Sequence, residues 1–254
     1  IREIKMSVRL MYPIYLFSKS YLHEEKDKNS QMTEEYFGLL KNEMDAIRNR
    51  DKGRFLSNQE PTSWQSNDGL ETNPIFIGAI RQIQREVRDE IMPFLGAKPN
   101  SFDIEFHNSW GNINGFGAWN SPHLHNGCFY SGVMYIKADG DEGDIQFIDK
   151  DPKVVSDMPA VPRLHDNVRI TPRTGDLYLF PSGTMHMVAP NLTDKERYSI
   201  SFNLQVRMKG YTLGRNEDNM SRGDIKNLDN ILAELYKRLI VPLYIILLIY
   251  IFVD

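Results

Sequence analysis

Cysteine is almost absent from this chain of 254 residues: Cys128 stands alone. No disulfide can form within the chain, which excludes a disulfide-stapled secreted scaffold, and the expected setting is reducing and cytoplasmic. An excess of charge of one sign is also missing. Lysine and arginine total 30 against 34 aspartates and glutamates, for a formal charge of −4, so there is no electrostatic footprint for wrapping nucleic acid. The first apolar stretch, residues 11–17, is short and lacks the basic, apolar and small-residue order of a signal peptide. Internal repeats and low-complexity tracts are absent. Long apolar runs are missing until residues 239–253, LIVPLYIILLIYIFV, which follow Lys237 and Arg238. As a helix this run would reach roughly 22 Å, short of the ~30 Å hydrocarbon core. Two readings of it stay open: a weak C-terminal membrane contact, or a buried or non-native terminal segment.

What is present divides the chain into three textures. Residues 1–100 read as a helical and extended support region. Residues 32–50 have helical composition, and Asn73-Pro74 opens a second helix with an asparagine cap and proline in the first turn. Phe76, Ile80, Ile83, Val87 and Ile91 recur at three- and four-residue spacing, giving that helix one apolar face that ends near Met92-Pro93. The connecting GRFLSNQEPTSWQSNDGL is rich in turn formers and reads as a surface loop. Residues 101–210 carry short β-like runs at 103–109, 129–137, 144–148, 176–180, 185–188 and 197–206, the spacing of an antiparallel sandwich or barrel. In the last run Tyr198, Ile200, Phe202 and Leu204 alternate with Arg197, Ser199, Ser201 and Asn203, so one face is apolar and the other polar; the polar face either lines a site or meets water. Residues 211–254 are a polar linker, a short amphipathic helix and the apolar tail. The expected class is mainly β with flanking helices, α+β, a barrel buttressed by the N-terminal helices.

Three histidines stand out. His123 and His125 flank Leu124, and in an extended segment both side chains leave the same face, within reach of one ion. Imidazole suits iron, zinc, copper and nickel alike, so the pair does not choose the metal. In TGDLYLFPSGTMHMVAP, Gly175 turns the chain into the buried-looking LYLF strand, Pro181 and Gly183 turn it again, and His186 opens the next strand at a strand mouth. Eleven residues later Arg197 lies on the polar face of its strand, two positions before Ser199, an arrangement suited to gripping a carboxylate.

These segments, HLH at 123–125, SGVMYIK at 131–137, GDLYLFPSGTMH at 175–186 and ERYSISFN at 196–203, together with WQSNDGL at 64–70, resemble a branch of the 2-oxoglutarate–Fe(II) oxygenase superfamily. The resemblance covers roughly residues 60–207. It implies a double-stranded β-helix, a jelly-roll or cupin-like barrel, with Fe(II), 2-oxoglutarate as cosubstrate and O2. The implied reaction is hydroxylation of an unidentified small-molecule or protein substrate, with conversion of 2-oxoglutarate and O2 to succinate and CO2. His186 would complete the metal site, Arg197 and Ser199 would bind the distal carboxylate of 2-oxoglutarate, and Tyr135 would contact the same cosubstrate. Trp110, Asn112 and Asn120 would line the substrate mouth.

One position departs from the superfamily pattern: His125 stands where an aspartate or glutamate ligand is usual. A three-histidine site, two histidines with a carboxylate from elsewhere, and a site using only one of His123 and His125 all stay open. A cupin-type metal enzyme is the main rival, since Gly175, Pro181, Gly183 and His186 fit most of a cupin motif. It lacks the usual glutamate after the H-x-H pair and leaves Arg197 without a task. A non-catalytic metal- or ligand-binding barrel is the second rival. His23, His107 and His165 read as structural or surface residues.

Overall fold

The computed structural model describes residues 14–23, 31–54, 62–98, 100–148 and 168–209; the linker, helix and apolar tail expected at 211–254 lie outside the described residues, as does His165. The first helix, α1 (Glu34–Arg50), starts where the side chain of Thr33 accepts a hydrogen bond from the Tyr36 amide, and Phe37, Leu40, Met44 and Ile47 form its buried face. Asn73 caps as expected, but the turn it caps is the one before the helix: its side chain accepts from the Ile75 amide, and α2 runs from Ile77 to Glu86. The chain then continues helically through a π turn, Val87–Ile91, in which the Met92 amide reaches back to the Val87 carbonyl. Pro93 follows, and with no amide hydrogen of its own it cannot continue the ordinary ladder. Phe76, Ile80, Ile83, Val87 and Ile91 are all buried, as their spacing predicts.

Among the described residues ten strands form two antiparallel sheets. In chain order they are β1 (Phe17–Ser20), β2 (Ser63–Gln65), β3 (Phe102–Asn114), β4 (Asn120–His123), β5 (Tyr130–Lys137), β6 (Ile145–Phe147), β7 (Val168–Ile170), β8 (Asp176–Pro181), β9 (His186–Val188) and β10 (Arg197–Met208). The larger sheet has the order β1-β8-β5-β10-β3-β2 and the smaller the order β4-β9-β6-β7. This is the double-stranded β-helix, with a cavity lined by residues of both sheets.

The burial of β10 explains how the larger sheet is used. Tyr198, Ile200, Phe202 and Leu204 are at most 2% exposed and pack in one cluster with Phe37, Leu40, Met44, Ile80 and Ile83 of the two helices. Each such side chain contributes about 1.5–3 kcal/mol by leaving water. The opposite face, Arg197, Ser199 and Asn203, is buried as well, and Arg197, Ser199 and Ser201 line the cavity. The polar face of this strand therefore meets the barrel interior. The helices supply the hydrophobic layer, and the interior is left free for polar side chains. A smaller apolar cluster, Val133, Tyr135, Ala138, Ile145, Phe147, Tyr178 and Phe180, draws on strands of both sheets.

The surface-loop expectation for GRFLSNQEPTSWQSNDGL needs correction. Within it, β2 pairs with β3 in the register Trp64↔Ile113 and Gln65↔Asn112, and Trp64 is buried with its indole nitrogen donating to the Asp51 carbonyl at 3.0 Å. Turn-forming neighbours hide a strand of three residues whose partner lies 49 positions away at Ile113.

The centre of the large sheet leaves no slack at Gly132, opposite Phe202 across the β5–β10 pair. A Cβ there would sit 2.6 Å from Phe202 Cε2 and 2.9 Å from the Tyr178 carbonyl oxygen. Gly132→Val is expected to destabilise the fold by about 1–3 kcal/mol through overpacking. A thermal melt should show a midpoint lower by about 2–4 °C per kcal/mol; an unchanged midpoint would mean that the sheet yields more easily than this contact implies.

Candidate metal and cosubstrate site

Two strands of the smaller sheet and one adjoining loop bring the three histidines together. β4 and β9 pair with His123 directly opposite His186. His125 lies just past the end of β4, where its backbone amide donates to the Ser182 carbonyl at 2.9 Å, tying this loop to the FPSG turn after β8. The ring centroids are 4.3 Å apart for His123–His186, 5.2 Å for His123–His125 and 5.3 Å for His125–His186. One ring nitrogen from each lies within 4.8 Å of the others. Among the described residues this group contains histidines alone, with no carboxylate.

The donor set suits a divalent transition metal. His123 Nδ1 lies 2.7 Å from the Ser121 carbonyl oxygen, and His186 Nδ1 lies 2.9 Å from that of Thr184. A carbonyl only accepts, so each Nδ1 carries a proton and Nε2 is the nitrogen left to face an ion. Burial, followed by repulsion from His123, pushes the His125 ring down to about 4. The same two effects bring His186 down to about 4, against the opposing pull of the Thr184 carbonyl. Both rings are neutral at pH 7, the form that binds metal. Nitrogens bound to one ion at about 2.0–2.1 Å in neighbouring positions lie about 3 Å apart, so the three rings would draw closer together on binding it.

The larger sheet supplies the other half of the cavity, whose volume is about 80 Å³. Arg197, at the start of β10, is 3% exposed, and its Nη1 donates to the carbonyls of Glu142 and Gly143, the latter at 2.9 Å. Gly143 has φ +97°, and a Cβ on it would meet the Pro190 carbonyl oxygen at 2.9 Å, so glycine is what lets this carbonyl approach. No carboxylate lies within ion-pair distance of Arg197 among the described residues. Desolvation lowers the pKa of its guanidinium. A buried guanidinium held only by carbonyls among the described residues is suited to pairing with an anion. Ser199 and Tyr135 line the cavity beside it, and burial pushes the Tyr135 hydroxyl up to about 12 despite the nearby Arg197.

The remaining wall is built of neutral amides. Gln65 Nε2 donates to Asn112 Oδ1 at 2.9 Å, and Asn112 Nδ2 donates to Ser201 Oγ at 3.0 Å. Trp110, Asn112 and Asn120 all line the cavity, whereas His23 and His107 are exposed and apart from it. The sequence reading missed Asn114 and Gln65. Asn114 faces Arg197 across the β3–β10 pair, is 3% exposed, and its amide nitrogen has no partner among the described residues. A signal for it existed: Trp110, Asn112 and Asn114 follow the two-residue period of one strand face.

Residues 108–203 match the family model described as Putative 2OG-Fe(II) oxygenase, a span that contains all three histidines, Tyr135, Arg197 and Ser199. No curated protein sequence matches. Similar solved structures include a Pseudomonas putida prolyl-4-hydroxylase, 17% identical over 77% of this chain and 93% of that one, TM-score 0.48. HygX from Streptomyces hygroscopicus, solved with nickel and 2-oxoglutarate, is 11% identical over 82% of this chain and 88% of its own, TM-score 0.48. A viral collagen prolyl hydroxylase from Paramecium Bursaria Chlorella virus-1 is 12% identical over 77% and 97%, TM-score 0.47. Among the described residues no helix is long and apolar enough to cross a membrane. Residues 108–203 are thus similar to the 2-oxoglutarate–Fe(II) oxygenase family, whose cofactors are Fe(II) and 2-oxoglutarate.

Proposed function

We propose that this chain is a hydroxylase that couples conversion of 2-oxoglutarate and O2 to succinate and CO2 with oxidation of a C–H bond in a small-molecule or protein substrate. The observation that carries this reading is the coexistence, in one cavity, of three histidines whose ring nitrogens lie within 4.8 Å of one another and a buried arginine with no carboxylate partner among the described residues. When bound, Fe(II) supplies the O2 and redox chemistry that side chains lack.

The protein's own residues divide the remaining work. His123, His125 and His186 hold the metal on one side and leave its other positions to exogenous ligands, as three protein ligands allow. Imidazole ligands bring no negative charge to the ion, which favours a dianionic cosubstrate. Arg197 binds the distal carboxylate of 2-oxoglutarate with help from the Ser199 hydroxyl, and the Tyr135 hydroxyl, protonated at neutral pH, donates to the same cosubstrate. Trp110, Asn112 and Asn120 then bound the space left for substrate. Amide and indole groups there would orient a neutral, hydrogen-bonding part of the substrate without competing for the metal.

The test is to load the protein with Fe(II) under anaerobic conditions, admit O2, and measure succinate formed from 2-oxoglutarate in the absence of substrate. Slow succinate production that disappears in His186→Ala is the expected result. Iron binding with neither succinate production nor 2-oxoglutarate binding would overturn the oxygenase reading in favour of a cupin-type metal module. Failure of the well-folded protein to bind iron would leave only a ligand-binding barrel.

A further inference from the structure

His125 is the odd member of the triad. His123 and His186 each have a backbone carbonyl on Nδ1 that fixes the plane and tautomer of the ring. Metal-binding histidines almost always have such an outer partner. The His125 ring has no hydrogen bond among the described residues, and it lies beyond the end of β4, where no sheet ladder fixes the backbone. While the His125 backbone amide is tied to the Ser182 carbonyl, the ring's contact outside the triad among the described residues is aromatic: it stacks on the Trp110 indole, centroids 5.8 Å apart and planes inclined by 30°. Trp110 is set in the middle of β3, paired with Ser201 of β10. The Arg54 guanidinium lies over the same indole, 5.6 Å from its centroid. Arg54 is in turn held by Asp68 at 2.9 Å and by the Ser66 carbonyl at 3.0 Å.

We infer that Trp110 and Arg54 are positioning residues that hold the His125 imidazole toward the metal, replacing the hydrogen bond the other two histidines have. The inference rests on the proposed function, in that His125 is taken as a ligand. The physics favours coupling to metal binding. An imidazole that donates its lone pair to a cation becomes electron-poor, and its stack on an electron-rich indole strengthens. Whatever strengthens on metal binding contributes to metal affinity. The Arg54–Asp68 pair adds no net charge beside the ion and clamps the indole from the β2 side. The segment WQSNDGL thereby gains a role: Ser66 and Asp68 within it anchor the arginine that abuts the tryptophan.

The experiment is Co(II) titration of the full chain without 2-oxoglutarate, followed by the visible d–d absorption of the bound ion. Co(II) gives a coordination-sensitive spectrum in the absence of turnover. Trp110→Leu should weaken Co(II) binding by roughly tenfold or more, the scale of lost outer-sphere partners. Its spectrum should shift toward that of His125→Ala, and Trp110→Phe should restore most of the affinity. Arg54→Gln, farther from the metal and less able to disturb the fold, should give a smaller loss in the same direction. In a His125→Ala background, Trp110→Leu should change affinity by less than about twofold, since coupled partners are not additive. Loss of the same size in both backgrounds, or wild-type binding by Trp110→Leu and Arg54→Gln, would overturn the positioning role while leaving the ligand set intact. Wild-type binding and spectrum in His125→Ala alone would instead overturn the three-histidine ligand set and the inference with it.

Discussion

Arg197→Met is expected to raise the dissociation constant for 2-oxoglutarate by roughly 30-fold to several thousandfold, while metal affinity stays near that of the wild type. The range follows from about 2–5 kcal/mol for removing one partner of a buried, hydrogen-bonded charge pair, at 1.4 kcal/mol per factor of ten. The loss is large because the complex would leave a dianion in a cavity that, among the described residues, has no other cationic lining: the remaining side chains are histidines, amides, hydroxyls, an indole and aliphatic or phenyl groups. The free protein should respond quite differently. Without a ligand, Arg197 is a desolvated cation whose described hydrogen bonds go to two carbonyls, so its loss removes a desolvation penalty while leaving those carbonyls short of a donor. These effects oppose each other, and the melting midpoint of the free protein should move little. The rise in midpoint produced by saturating 2-oxoglutarate in the metal-loaded wild type should vanish, because that rise is binding energy. A full 2-oxoglutarate-dependent shift in the variant would mean that the anion sits elsewhere.

His186→Gln is expected to lower metal affinity by roughly two orders of magnitude or more, since even outer-sphere partners of metal ligands are worth 10–100-fold. Glutamine keeps the bulk that His186 places against Phe180, 4.7 Å between ring centroids, and Phe147, 6.3 Å, so the hydrophobic layer beneath the site should survive. The proper readout is metal bound at equilibrium after dialysis, alongside a circular dichroism spectrum matching the wild type. Near-normal metal content in that folded variant would remove His186 from the ligand set. It would also undo the reading of the β4–β9 pair as the frame of the site.

Several parts of this molecule are legible in the sequence. The apolar face of α2 and its continuation was visible because helical periodicity is a local property, and all five of its marked residues are buried. The alternation along β10 was visible for the same reason. His123, His125 and His186 drew attention because few residue types bind metals, and the order H-x-H, FPSGTMH, ERYSISFN is specific in combination. Turn chemistry was harder to read. Asn73 signalled a helix start correctly in kind and slightly early in place, and β2 was hidden among turn formers because three residues are too few to show a period.

The sequence by itself determined the two-faced character of β10, the helix that covers its apolar side, and the short list of residues able to hold a metal or grip a carboxylate. These follow from spacing and side-chain chemistry, which act over a few residues. Only the tertiary structure decided where those faces point. The polar side of β10 meets the barrel interior because α1 and α2 occupy its other side, and Arg197, Ser199 and Asn203 are buried there. Only the pairing of β4 with β9 sets His123 opposite His186, 63 positions further along the chain. The contact of Trp110 with His125 and Arg54, and the placing of Asn114 opposite Arg197, are likewise products of register between strands distant in sequence. Register is settled by the whole core at once, since a slip of one residue would turn every side chain of a strand to the wrong face.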